Sequence, residues 1–189
     1  RFPSQMRFLS FAAMARTAQP GILVVDRTVH GPYENYQTPE QRIPEKQQDH
    51  PWESCMTLAN NWGFVPNDQF KSASTIIHSL AEVVAKGGSL LLGIGPKPDG
   101  TLPAEATQRL AEIGQWTSKN GEAIYNTRIT KDYHAGNTWF TQNKDQATRY
   151  AIVCLEDGKQ LPVTVSWQTN LPKSKSKIRL LQTGEYVKW

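Results

Sequence analysis

The sequence predicts an α/β domain that passes into an antiparallel, β-rich tail, and three observations carry that prediction. Short apolar runs at residues 22–25, 54–58 and 90–94 alternate with segments of helical period. Each run stops abruptly, at Asp26-Arg27, at Asn60-Asn61 and at Gly95-Pro96. From Ile129 onward the composition changes to β-rich runs split by Asp157-Gly158, Pro172 and Gly184.

Between Ser4 and Gln19, the apolar residues Met6, Phe8, Leu9, Phe11, Ala13 and Met14 fit a period of 3.6, and Gln19-Pro20-Gly21 stops the helix. Ile22-Leu23-Val24-Val25 then reads as a strand buried on both faces. Residues 28–51 are polar, hold four prolines and lack periodicity, and an aperiodic loop of that length is usually functional. Ser54–Leu58 is a second short strand. Ser72–Lys86 is a helix with Ile76, Ile77, Leu80, Val83 and Val84 as its stripe, Ser72 as N-cap and Gly87-Gly88 as its stop. Residues 90–94 make a third strand. A further helix starts at Pro103, aligns Leu110, Ile113 and Trp116, and ends near Asn120-Gly121. In the tail, strands are expected at 138–141, 150–155, 163–167 and 178–181.

Strands alternating with helices imply a parallel sheet with crossovers. Three strands cannot close a barrel, which takes about eight strands and roughly 250 residues. The first part is therefore either a small open sheet or the last third of a barrel. The break falls near 127–133, which divides the chain into 1–128 and 129–189.

Charge and cysteines exclude several classes. Residues 1–128 carry 12 Lys/Arg against 12 Asp/Glu, and residues 129–189 carry 9 against 5, so the whole net charge of +4 sits in the tail. Its cluster Lys173, Lys175, Lys177 and Arg179 is not interleaved with aromatics and reads as a solvated face, not as a nucleic-acid site. Cys55 and Cys154 lie far apart, so no disulfide framework or Cys/His metal spacing arises, and both read as buried thiols. No run approaches the ~20 apolar residues of a membrane span. The opening Arg1-Phe2-Pro3, without Met or a signal pattern, is expected to continue something longer.

In parallel α/β folds, ligands meet the carboxyl ends of strands. That rule selects Asp26-Arg27 with the long loop, Asn60-Asn61-Trp62, and Gly95-Pro96. The loop and its exit hold Glu34, Glu40, Glu45, Asp49 and Glu53, together with His30 and His50. Each carboxylate taken singly is expected to be solvated, and neither histidine has a partner at metal-ligand spacing.

The blocks Pro51-Trp52-Glu53-Ser54-Cys55-Met56-Thr57-Leu58, Asn61-Trp62-Gly63-Phe64, Lys86-Gly87-Gly88-Ser89-Leu90-Leu91-Leu92-Gly93-Ile94-Gly95-Pro96, Asp99-Gly100-Thr101-Leu102-Pro103 and Asn120-Gly121-Glu122-Ala123-Ile124-Tyr125 occur in this order. In order and spacing they resemble the α-L-fucosidases, which are retaining glycoside hydrolases, over about residues 20–160. The resemblance implies the last part of a (β/α)8-like barrel followed by the start of a small antiparallel β-sandwich-like module. It also implies hydrolysis of terminal α-L-fucose from fucosylated oligosaccharides or glycoproteins, with no metal or cofactor and no nucleic-acid or membrane partner. A periplasmic, secreted or lysosomal setting would follow.

Residue by residue, the resemblance makes Glu40, in Thr38-Pro39-Glu40, the acid/base. Arg27 becomes the arginine that approaches the sugar and the nucleophile, and Trp62 the aromatic near the sugar's methyl group. Glu34 and Glu53 are reserve acid/base candidates. Retention needs two carboxyls ~5 Å apart, and the family's nucleophilic Asp has no counterpart here, so it is expected upstream of Arg1. Two other readings follow from the residues: a non-catalytic carbohydrate-binding or structural fragment, and another glycosidase with a sandwich appendage. A partial barrel also leaves open edges that favour aggregation or homo-oligomeric association.

Overall fold

The computed structural model describes residues 5–25, 27, 30–160 and 162–189. In order these form α1 (Gln5–Ala18), β1 (Glu53–Thr57), α2 (Ala73–Ala85), β2 (Ser89–Gly93), α3 (Ala104–Asn120), a 3-10 turn at Gly121–Ala123, β3 (Thr127–Ala135), β4 (Thr138–Asn143), β5 (Arg149–Val153), β6 (Ile178–Arg179) and β7 (Tyr186–Val187).

The helices form where their spacing predicts. Ser72 caps α2 as expected, its Oγ accepting from the Thr75 N–H at 3.1 Å. Gly87 adopts φ +86 just past the end of α2, a conformation that suits glycine. Helix α1 also forms, but its stripe is not covered: Phe11 is 61% and Met14 66% exposed. Ala12 is buried, and Arg16 reaches across to the Tyr33 carbonyl at 2.6 Å.

β1 and β2 pair in parallel, Cys55 opposite Leu91. Residues 22–25 depart from the expected doubly buried strand. They make one parallel bridge, Val25 to Tyr36, and Leu23 is 67% exposed. A strand is buried on both faces only where layers cover both faces, and here neither cover is complete. The long loop is more ordered than its composition implies. Parallel bridges join Gln37 to Trp52 and Glu40 to Cys55, so residues 36–41 run as an extended strap beside β1.

In the tail, β3, β4 and β5 form an antiparallel sheet with β4 central, and β6 and β7 form a separate pair. The strand expected at 163–167 does not form. Val163 is fully exposed, and Trp167 instead meets Phe140 edge-on at 5.7 Å. Cys55 is buried, whereas Cys154 is only partly so. Lys173, Lys175, Lys177 and Arg179 are all exposed, as a solvated run should be.

Two apolar cores meet at α2. One gathers Leu58, Ile76 and Ala106, with Leu90, Leu92, Leu110 and Ile113 against them. The other gathers Ala81, Ala123, Ile124 and Ile152, with Trp116 and Trp139 alongside. Phe140, 1% exposed, contributes about 1.5–3 kcal/mol of burial to the tail sheet.

Candidate active site

The site is assembled from a strap that borrows its order from β1. The Cys55 N–H donates to the Pro39 carbonyl at 3.0 Å, and the Gln41 N–H donates to the Cys55 carbonyl at 2.8 Å. Pro39 lacks an N–H but keeps its acceptor, so a proline costs this short ladder nothing on the side that faces β1. Gln41 turns at φ 52, and its Nε2 donates to Thr57 Oγ1 at 3.0 Å. Ser54 Oγ donates to the Arg42 carbonyl at 2.7 Å. Glu40 is thus fixed at the backbone while its side chain stays free to reach outward.

That side chain meets Arg27. Arg27 Nη1 lies 2.7 Å from Glu40 Oε2, with the two side chains 44% and 50% exposed. A pair this open adds little stability, ~0–1 kcal/mol, so its interest is chemical. Hydrogen bonds from the guanidinium to the Cys55 side chain and then to Glu40 raise the Arg27 pKa above its ordinary value, so the cation is permanent. Asp26, its neighbour, lies outside the described residues.

The other carboxylates take different places. Glu34 folds into its own loop: it accepts from the Gly31 N–H and from Gln37 Nε2, both at 3.2 Å, and lies 3.4 Å from His30 Nδ1. Its side chain is 16% exposed. Gln37 in turn bonds His50 Nε2 at 2.8 Å, and His50 Nδ1 faces Asp49 at 2.9 Å. Both histidines are therefore engaged in the loop's own polar network. Glu53 opens β1 at its amino end, its N–H donating to the Gln37 carbonyl at 2.8 Å. Among the described residues no group of three or more His, Cys, Asp or Glu could hold a metal ion.

Trp62 stands beyond the carboxyl end of β1, 42% exposed. Its turn is closed by Asn61, whose N–H and Nδ2 both donate to the Asp68 carboxylate at 3.1 and 3.2 Å. Those bonds, with a Gln69 N–H bond, hold Asp68 below the usual carboxylate range against the opposing effect of its desolvation. Below the turn, Lys71 Nζ donates to the Thr57 carbonyl, to Thr57 Oγ1 at 3.0 Å and to the Ala59 carbonyl at 3.2 Å. Burial lowers the Lys71 pKa. The Trp62 ring packs on Gly93, where an added Cβ would come within 3.2 Å of it.

The packing roles of Gly88 and Gly93 and the burial of Lys86 are the parts that sequence reasoning did not assign. A Cβ at Gly88 would lie 2.5 Å from the Trp52 ring, so Gly88 is set by packing, not only by the helix stop. The pattern Lys-Gly-Gly at the close of an amphipathic helix signals the tight packing at Gly88 but not the burial of Lys86. A wide hollow of about 580 Å³ lies in the tail against Lys177, Tyr186 and Trp189, and none of the candidate residues lines it.

Comparison with known proteins adds the context. A family model described as Alpha-L-fucosidase matches residues 3–122. An α-L-fucosidase of Dictyostelium discoideum is 37% identical over 114 residues, covering 58% of this chain and 25% of its own. The plasma α-L-fucosidase of Homo sapiens is 31% identical over 150 residues, covering 74% and 31%. Among solved structures, the Thermotoga maritima α-fucosidase superposes with a TM-score of 0.72 at 26% identity, over 96% of this chain and 41% of that one. The chain spans about a quarter to a third of the length of these curated relatives.

Proposed function

The chain belongs to the α-L-fucosidase family, and on that premise we propose that it forms part of an enzyme that releases terminal α-L-fucose from glycoconjugates by retaining double displacement. In this reading residues 1–128 are the last part of a (β/α)8-like barrel, and residues 129–189 begin a β-sandwich-like module. Fucosylated oligosaccharides or glycoproteins are the substrates.

The observation that carries the proposal is the Arg27–Glu40 pair at 2.7 Å, its glutamate on a strap beside β1, with Trp62 beyond the same strand's carboxyl end. Glu40 would protonate the departing glycosidic oxygen and then take a proton from the incoming water. Arg27, a permanent cation with a forked donor set, would hold the reacting sugar and steady the negative charge of the nucleophile. Trp62 would offer an apolar ring face to the sugar.

Retention needs a second carboxylate about 5 Å from the first. We place it in the part of the relatives' length that this chain does not span. The test is an aryl α-L-fucoside incubated with the full-length protein while the product is followed by proton NMR. Initial release of the α anomer of fucose is expected. No release, or initial release of the β anomer, would remove the retaining reading.

A further inference from the structure

Lys86 is 4% exposed, and the chemistry above makes no use of it. Its ammonium has three neighbours: Glu82 Oε1 at 2.5 Å, one turn back in α2; the Pro44 carbonyl at 2.7 Å; and the Trp139 ring of β4, with Nζ 5.4 Å from the centroid. A buried charge persists only where its partners are in place. Glu82 alone could have paired with Lys86 at the surface, as i,i+4 residues do. The partner that requires burial is Pro44, 42 residues away in sequence and four past Glu40.

A second contact has the same sense. Gln47 Nε2 lies 3.0 Å from both the Ala85 carbonyl, at the end of α2, and the Thr130 carbonyl in β3. The strap, taken on through its continuation to Gln47, is therefore held at two ends. Beside Glu40 it is bonded to β1 through Cys55 and Ser54, and beyond it is bonded to α2 and the tail sheet through Lys86 and Gln47. Between these anchors it has no sheet ladder of its own.

We infer that Lys86, assisted by Gln47, is a positioning residue for Glu40: it fixes the far end of the strap and so holds the carboxyl in line with the leaving oxygen. The inference rests on Glu40 being the acid/base. Lys86 touches no reacting atom, so its effect should appear only in the step that needs a correctly placed proton. In kcat/KM, which covers formation of the covalent intermediate and not its hydrolysis, a misplaced acid slows fucosides with poor leaving groups, which require protonation, and spares activated aryl fucosides, which do not.

The experiment compares Lys86→Met, Gln47→Ala and Glu40→Ala in the full-length protein across fucosides of graded leaving-group pKa. Methionine keeps the stem against Trp139 but offers no donor to Pro44. Lys86→Met should lose about tenfold or more in kcat/KM on the poorest leaving groups and no more than about threefold in kcat/KM on an activated aryl fucoside. Gln47→Ala should follow the same trend with a smaller slope, and it decides the matter if Lys86→Met does not fold. Equal losses across all leaving groups, or none, would overturn the positioning role while Glu40→Ala still showed its own steep dependence. A flat Glu40→Ala series would instead sink the acid/base assignment on which this rests.

Discussion

Trp62 fills the space that a side chain at position 93 would need, with two of its ring carbons 3.2 Å from where a Cβ would stand. The ring is 42% exposed, so part of it packs on a glycine and the rest remains accessible.

Substitution on either side of that contact should separate binding from folding. Trp62→Ala is expected to weaken a fucose analogue by about 1–3 kcal/mol in the full-length protein, with little change in Tm. Gly93→Ala should push the ring aside by a few tenths of an ångström, raising KM more than it lowers kcat. Isothermal titration and steady-state kinetics report the two. Loss of Tm without loss of affinity would return Trp62 to a packing role.

Glu40→Ala should depress hydrolysis of natural fucosides by about 10²–10⁴-fold. Added azide should restore turnover of an activated aryl fucoside, giving a fucosyl azide, because the small anion needs no general base. Near-native activity in the variant would transfer the role to Glu34 or Glu53. Glu34 is the nearer alternative in burial and Glu53 the poorer in position, at the amino end of β1.

Residues 1–189 expressed alone should not hydrolyse an aryl α-L-fucoside at an enzyme-like rate. On the proposed assignment Glu40 supplies the proton, while covalent displacement needs a carboxylate on the other side of the bond, which the proposal places outside this span. Side-by-side assay with a longer protein of the same sequence checks this. Comparable turnover from both would defeat the argument and make Asp26 the first residue to mutate.

Cys154 offers a test through pH. Burial, assisted by the charge of Glu82, pushes its thiol up to about 11 from an ordinary 9.0. The folded state therefore keeps a proton that the unfolded state loses, so this contribution to stability is intact below pH 9 and lost as pH rises towards 11. Iodoacetamide labelling of Cys154 should accelerate with a midpoint near 11. A midpoint near that of a free thiol would mean that the site is wetter than its packing implies.

Local chemistry made much of the fold legible. The Ser72 cap, the Gly87 stop, both strands of the parallel pair and α3 all follow from side chains a few residues apart. The strap was not legible, because its order comes from β1: Tyr36–Gln41 has no alternation, and Pro39 argues against a strand until its carbonyl is seen to accept from Cys55. Residues 22–25 failed in the opposite way, being apolar enough for a core but lacking cover. In the site, the proximity of Arg27 and Glu40 could be anticipated only through resemblance. The burial of Lys86 could not be anticipated, since charge in sequence ordinarily means solvent.

Helix α2 belongs to both cores, with Ile76 in one and Ala81 in the other. It acts as a party wall, and a wall shared by two rooms cannot be demolished from one side. A cut at the compositional boundary near residue 128 would therefore strip one face of a helix that the other half still requires. Chimeras that exchange tails between relatives should succeed only when the tail-facing side of α2 travels with them. The natural unit of inheritance here is larger than either compositional half.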